Sequence, residues 1–172
     1  SVTACDKKER EDFDGLIEEL ESLGAEVRLG PDYMDGLDQD IIFRTPGLRP
    51  DATPLLAARE RGSVITSEME VFFQVCPCEI IAVTGSDGKT TTTTIIAGLL
   101  RAAGRTVHLG GNIGHPLLSE AGNIRREDLA VVELSSFQLM TMDRSPAVAV
   151  LTNLAPNHLD VHTDMAEYVA AK

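Results

Sequence analysis

The chain has 172 residues, 27 of them acidic and 15 basic, giving a formal charge of −12; 43% are hydrophobic and 24% charged. Those proportions fit a soluble globular protein, and no apolar run approaches the roughly 18 residues a bilayer span needs. So negative a chain repels phosphate backbones at long range, which argues against general nucleic-acid binding. A local anion site stays open, because a few backbone amides and one lysine outweigh a distant field. The length allows one large domain or two small ones. The start, Ser1 to Asp6, has neither the basic head nor the apolar stretch of a secretion signal, and no initiator Met. A cytoplasmic address and a start inside a longer protein are therefore expected.

In chain order, short β-branched runs alternate with amphipathic stretches, the pattern of a parallel sheet covered by helices. Residues 2–5 predict a strand ending at Asp6. Phe13, Leu16, Ile17, Leu20 and Leu23 recur at helical spacing before the stop signal of Gly24. Strands are predicted over 26–29 and 40–44, a helix over 53–61, a strand over 63–66 and a helix over 68–74. Val75-Cys76-Pro77-Cys78 then breaks the pattern, and a domain boundary is expected there, dividing residues 1–76 from 77–172. Cys76 and Cys78 are too close for a zinc knuckle; with Cys5 they read as reduced, structural thiols.

The second half repeats the alternation: a strand over 79–84, a helix from Lys89 to about 103 closed by Gly104, and strands over 106–109, 129–134 and 147–153. A last helix starts at Met165, with Thr163 or Asp164 as its cap.

The most informative segment is Ile80-Ile81-Ala82-Val83-Thr84-Gly85-Ser86-Asp87-Gly88-Lys89-Thr90-Thr91. An apolar strand runs into a glycine-rich turn, and Lys-Thr-Thr opens a helix. Gly85 and Gly88 let several N–H groups point into one concavity at a helix N-terminus, where the dipole favours an anion. Lys89 is placed to reach the β- and γ-phosphates, and the Thr90 hydroxyl to ligate Mg²⁺. The usual phosphate-loop pattern has a further Gly five positions before Gly88, where Val83 stands. A triphosphate site also needs a carboxylate to share its metal. Glu133 ends the buried-strand run Leu129-Ala130-Val131-Val132, and ligands of open α/β sheets gather at such strand ends. Taken alone, Glu133 reads as a solvated strand-end carboxylate; beside the loop it reads as a metal ligand.

Together with the loop, four further segments resemble one family: Gly110-Gly111-Asn112-Ile113-Gly114, Glu133-Leu134-Ser135-Ser136-Phe137-Gln138-Leu139, Asn153-Leu154-Ala155-Pro156-Asn157-His158-Leu159-Asp160, and Tyr168-Val169-Ala170-Ala171-Lys172. The chain resembles the Mur ligase superfamily, whose phosphate loop has this shortened form, and the 133–139 string resembles its D-glutamate-adding member. In the first half the likeness rests on Asp6-Lys7-Lys8 and Thr45-Pro46-Gly47. The resemblance implies a Rossmann-like N-terminal portion, binding a UDP-sugar, followed by a phosphate-loop-type, mostly parallel α/β sheet with flanking helices. It implies that Gly85, Ser86, Asp87, Gly88, Lys89, Thr90 and Thr91 bind ATP, and that Thr90 and Glu133 hold one Mg²⁺. His158 and Lys172 would serve a second Mg²⁺, Lys172 as a carbamate. Lys89, His158 and Lys172 are thereby the expected catalytic residues. Asn112 and His158 would hold the L-alanyl carboxylate of UDP-N-acetylmuramoyl-L-alanine, Ser135 and Gln138 would contact its sugar nucleotide, and Lys8 and Gly47 its diphosphate. Lys8 stands where an Arg is frequent, so a point charge replaces a fork.

The residues alone leave plainer readings open. Asn112 lies between glycines as a turn former would, and a chain-end lysine is normally solvated, whereas carbamylation needs a desolvated amine of depressed pKa. His158 and His162 have the i, i+4 spacing of a zinc pair, but Pro156 argues for a loop and against a shared face. The reaction implied by the resemblance is ATP-dependent joining of D-glutamate to a carboxylate through an acyl phosphate, in peptidoglycan precursor synthesis, by an enzyme monomeric at full length. Another amide ligase of the superfamily, one adding glutamates to folate, or a non-catalytic nucleotide-binding module are the alternatives. The family's first strand-turn and its C-terminal domain have no counterpart in this sequence, so the segment is expected to lack turnover by itself.

Overall fold

The computed structural model of the chain describes residues 1–157 and 161–172. It packs as two compact units, one formed by Ser1–Asp40 and Asp51–Val64, the other by Ile41–Pro50 and Ile65–Lys172.

In the first unit β1 (Thr3–Asp6) and β2 (Glu26–Leu29) run parallel, in register from Thr3 against Glu26 to Asp6 against Leu29. A parallel pair needs a crossover, and α1 (Leu16–Ser22) supplies it, burying Ile17. The apolar spacing that begins at Phe13 overstates this helix. Arg10–Asp12 form a separate 3₁₀ turn whose cap, Phe13, is extended, and Gly15 then starts α1 from a φ of 73°. Further along, α2 (Thr53–Glu60) carries Pro54 in its first turn, where the missing N–H costs nothing, and it buries Leu55 and Ala58. Strands β3 (Ile41–Phe43) and β4 (Val64–Thr66) make a second two-stranded sheet, of which Ile41–Phe43 and residues 65–66 belong to the second unit.

The second unit is built on four strands in the order β6-β7-β5-β8: β5 (Glu79–Thr84), β6 (Val107–Gly111), β7 (Leu129–Glu133) and β8 (Val148–Leu151). All neighbours are parallel, and Glu133 aligns with Val83 on one side and Gly111 on the other. One face is covered by α3 (Glu68–Val75), whose Met69, Phe72 and Phe73 pack with Ile80, Ala82, Ala130, Val132 and Leu134. Its start is capped by the Ser67 hydroxyl, which accepts from the Glu70 amide, a contact worth about 1 kcal/mol. The other face is covered by α4 (Lys89–Ala102) through Ala97, Ile96 and Leu100, which meet Val131, Val107 and Ile81. Burial on both faces explains why β5 and β7 read as continuous apolar runs without alternation.

The packing boundary does not follow the 76/77 junction, because the apolar face of α3 belongs to the sheet that follows it. Strand β8 is also shorter than the expected 147–153. Beyond Leu151 the Thr152 amide still donates to the Thr84 carbonyl, but regular pairing stops there, and the Thr152 and Asn153 side chains bond the loop after β5. Two short elements escaped the apolar periodicity, the 3₁₀ helix Leu118–Asn123 and α5 (Ser136–Leu139). The chain ends in α6 (Met165–Ala171), capped by Asp164. Among the described residues no helix is long and apolar enough to cross a membrane.

Candidate functional site

The carboxyl ends of β5, β6, β7 and β8 converge at one edge of the sheet. The residues that follow them are Gly85, Asn112, Leu134 and Thr152. Gly85 has a φ of 143°, and a Cβ there would collide with the Thr152 hydroxyl, so no other residue suits the exit from β5. Gly111 is confined in the same way by the backbone of Glu133.

The loop from Gly85 to Gly88 is fastened from outside itself. The Ser86 amide donates to the Asn153 carbonyl (3.0 Å) and the Asp87 amide to Asn153 Oδ1 (3.0 Å). Thr152 Oγ1 and Asn153 Nδ2 both donate to the Asp87 carbonyl, at 2.7 and 3.2 Å. Ser86 turns inward; its hydroxyl meets Tyr168 Oη at 2.8 Å and donates to the Ala155 carbonyl at 2.8 Å. Gly88, at a φ of 78°, is the cap of α4. The amides of Lys89, Thr90 and Thr91, which form the first turn of that helix, have no acceptor among the described residues. Helix starts leave such donors, and with the dipole they favour an anion. Lys89 Nζ rests on the Ser86 carbonyl at 2.8 Å.

Beside the loop, Thr90 Oγ1 donates to Glu133 Oε2 at 2.7 Å, and Asn112 Nδ2 donates to Glu133 Oε1 at 2.8 Å. Glu133 is 1% exposed, so a carboxylate sits at the sheet edge held by two neutral donors. A hydroxyl and a carboxylate oxygen suit a hard divalent cation that keeps its other ligands from phosphates and water, as Mg²⁺ does. Among the described residues no three His, Cys, Asp or Glu side chains come together to hold a metal by themselves.

Lys172 is not a frayed end. Its Nζ donates to Thr84 Oγ1 (2.9 Å) and to the Gly85 carbonyl (3.0 Å), and lies 5.1 Å from the centre of the Tyr168 ring. Burial first, and the Lys89 ammonium second, bring its pKa down to about 8. Two lysines thus lean on consecutive carbonyls of the same loop.

Ser135 and Gln138 lie together at α5, but bonded to each other. The Ser135 amide and hydroxyl donate to Gln138 Oε1, and the Ser135 hydroxyl accepts from the Gln138 amide, making a capping box. The Ser-x-x-Gln spacing carries that signal in the sequence. Gly47 is exposed in the turn after β3, where the Leu48 amide donates to the Thr45 carbonyl. In the first unit Lys8 is exposed after β1, its amide bonded to Asp6 Oδ1 and its ammonium 5.8 Å from the centre of the Phe13 ring. His158, with Leu159 and Asp160, lies outside the described residues, and the expectations placed on it cannot be located.

Several residues that matter here escaped sequence reasoning as site components: Tyr168, which props Ser86; Thr152 and Asn153, which hold Asp87; and His162. The last is 2% exposed, stacked at 5.3 Å on Phe137, with Nε2 2.8 Å from Ser136 Oγ and Nδ1 3.3 Å from Glu167 Oε2.

A loop of this kind on a parallel strand, with a carboxylate ending the next strand, defines the phosphate-loop class of α/β protein. Residues 83–172, just over half the chain, match the family described as the Mur ligase middle domain, and the chain belongs to that family. Among curated relatives, the UDP-N-acetylmuramoylalanine--D-glutamate ligase of Acetivibrio thermocellus is 55% identical over 172 residues, covering 99% of this chain and 37% of the relative. The protein of the same name from Clostridium botulinum is 51% identical, covering 99% of this chain and 38% of its own length. This chain therefore spans well under half the length of those relatives. In fold it is similar to the crystal structure of UDP-N-acetylmuramate:L-alanyl-gamma-D-glutamyl-meso-diaminopimelate ligase from Neisseria meningitides, with TM-score 0.59, 21% identity, and coverage of 99% of this chain and 58% of that one.

Proposed function

We propose that the chain is the ATP-binding part of an ATP-dependent acid–amino-acid ligase that adds D-glutamate to UDP-N-acetylmuramoyl-L-alanine in peptidoglycan precursor synthesis. One observation carries the reading: the Thr90–Glu133–Asn112 cluster lies beside a phosphate loop that ends in Lys89. The identity to D-glutamate ligases over almost the whole chain supports the choice of amino acid. In this reading residues 1–76 belong to a UDP-sugar-binding domain, 77–172 to the central domain, and a C-terminal domain completes the enzyme. The enzyme is taken as cytoplasmic and monomeric.

Gly85 to Thr91 bind the ATP phosphates through the first-turn amides of α4, which have no acceptor among the described residues, with the Lys89 ammonium moving from the Ser86 carbonyl onto the β- and γ-oxygens. Thr90 and Glu133 are the residues that would hold Mg²⁺, with Asn112 fixing the Glu133 carboxylate. That ion supplies charge neutralisation between the phosphates when bound. The L-alanyl carboxylate oxygen attacks the γ-phosphorus; the bond to the β–γ bridging oxygen breaks, and ADP leaves. The D-glutamate amine then attacks the acyl carbon, phosphate departs with the bonding pair, and the amine loses a proton. The protein contributes position and charge rather than covalent chemistry. Lys172, with its amine near neutrality, is suited to react with CO₂ to a carbamate and serve a second Mg²⁺ with His158. Lys8, Gly47, Ser135 and Gln138 are assigned to the sugar nucleotide.

The test is ADP release by the full-length protein supplied with UDP-N-acetylmuramoyl-L-alanine, ATP and Mg²⁺. Turnover is expected with D-glutamate and absent with L-lysine or L-alanine. Turnover indifferent to the amino acid, or none in the full-length protein, would end this reading.

A further inference from the structure

Arg44 is the only Lys or Arg among the described residues that is buried, at 4% exposure. One of its terminal nitrogens donates to the carbonyls of Thr45 (3.3 Å), Pro46 (3.3 Å) and Leu48 (2.7 Å). The other donates to the Phe137 carbonyl (3.4 Å) and the Thr141 hydroxyl (3.0 Å). Every one of these acceptors is neutral. Burial pushes the guanidinium pKa down from its usual value, and Glu70 opposes this through its field alone. A cation buried without a hydrogen-bonded carboxylate is costly, and an apolar residue of similar volume would pack there at less cost. What the guanidinium supplies instead is geometry: a planar fork whose two ends reach two separate elements. One end closes the Thr45–Leu48 turn, and the other grips the backbone of α5 and Thr141, two residues past its end.

Five residues on, Arg49 does the same in a second direction. It donates to the Val161 carbonyl at 2.7 Å and to both oxygens of Glu167 on α6, at 3.2 and 3.0 Å. The turn bearing Gly47 is therefore tied at one end to α5, which carries Ser135 and Gln138, and at the other to α6, which leads to Lys172. All of these residues belong to the second packing unit.

We propose that Arg44 is a positioning residue for the UDP-sugar substrate: it fixes the Thr45–Leu48 turn against α5, so that Gly47 and the Ser135–Gln138 pair meet one ligand at a set separation. This rests on the reading that both elements contact the sugar nucleotide. Preorganisation of that kind is felt in binding one substrate, not in the chemistry of the other.

The experiment compares full-length wild type with Arg44→Met, Arg44→Lys and Thr141→Val, measuring KM for UDP-N-acetylmuramoyl-L-alanine and for ATP, kcat, and UDP affinity by calorimetry. Arg44→Met is expected to raise KM for the sugar nucleotide by about tenfold or more and to weaken UDP to match, leaving kcat and KM for ATP within about twofold. Arg44→Lys keeps the charge but loses the fork and restores less than half of the loss; Thr141→Val shows a smaller rise of the same kind and decides the matter if Arg44→Met does not fold. Unchanged UDP affinity in these variants, or both KM values rising together, would overturn the proposal. A wild type that binds UDP without D-glutamate-dependent turnover would instead strike at the reading of the reaction, and the calorimetry would still judge Arg44.

Discussion

Thr90 Oγ1 donates to Glu133 Oε2 at 2.7 Å, joining residues 43 apart in sequence at the ends of two neighbouring elements. The register brings the two close: Glu133 of β7 stands opposite Val83 of β5, and Thr90 lies in the first turn of the helix entered from β5. In the proposed enzyme this is where a metal-bound triphosphate begins to be read.

Glu133→Gln keeps the shape and removes the charge. The carboxamide would set a donor or a neutral oxygen where a divalent cation needs an anion. Steady-state kinetics of the full-length protein should show kcat/KM for ATP down by about a hundredfold or more, a loss in the range of removed electrostatic groups. Asn112→Ala, which releases only the other carboxylate oxygen, should raise the Mg²⁺ requirement by about 10–100-fold. A Glu133→Gln protein with normal turnover would remove the metal from this place.

Gly85→Ala forces a side chain into a backbone conformation that L-residues avoid and against the Thr152 hydroxyl. Holding such a conformation costs about 1–3 kcal/mol. Urea denaturation should therefore show a lower midpoint than wild type, and Thr152→Ala added to Gly85→Ala should recover part of the loss. An unchanged midpoint would mean that the exit from β5 is looser than described.

Lys172 titrates near pH 8 in the folded protein against 10.5 for an ordinary lysine. Between those values the unfolded chain holds the proton and the folded one does not, so this group makes stability rise with pH across the window. The same neutral amine is the form that adds CO₂. With isotope-labelled bicarbonate and fixed dissolved CO₂, the carbamate resonance should grow as pH passes about 8 and vanish in Lys172→Arg. Resonance intensity indifferent to that substitution would place any carbamate elsewhere.

Glu167 is held well below the carboxylate range, at about 2, chiefly by Arg49 and then by the Thr163 amide, with the His162 imidazole nearby. Its folded pKa lies under the unfolded 4.5, so the stabilisation is complete above pH 4.5 and is lost as pH falls towards 2. Acid titrations followed by circular dichroism should find that Arg49→Met flattens the pH dependence in that interval. A slope equal to wild type would show that the pair contributes nothing measurable.

The alternation of elements was readable because β5 and β7 are apolar runs and the helices carry their own punctuation: Ser67 before α3, Gly88 before α4, Asp164 before α6. The phosphate loop was readable for the same reason, its chemistry being compressed into seven consecutive residues. What fastens the loop was not. Ser86 reaches Tyr168 across 82 residues and Thr152 reaches Asp87 across 65, and no local propensity marks contacts made only after the sheet has assembled. Strand β8 ends earlier than the sequence predicts for a related reason: Thr152 has a β-former's side chain, but its hydroxyl bonds the Asp87 carbonyl.

The hydrogen-bonded ring between Ser135 and Gln138 limits what the start of α5 can say to a visitor. Gln138 Oε1 is already occupied twice by Ser135, which leaves its NH₂ as the vocabulary on offer. A ligand group met by that NH₂ brings lone pairs, as phosphates, carbonyls and sugar oxygens do, while an N–H donor is left the second lone pair of the Ser135 hydroxyl.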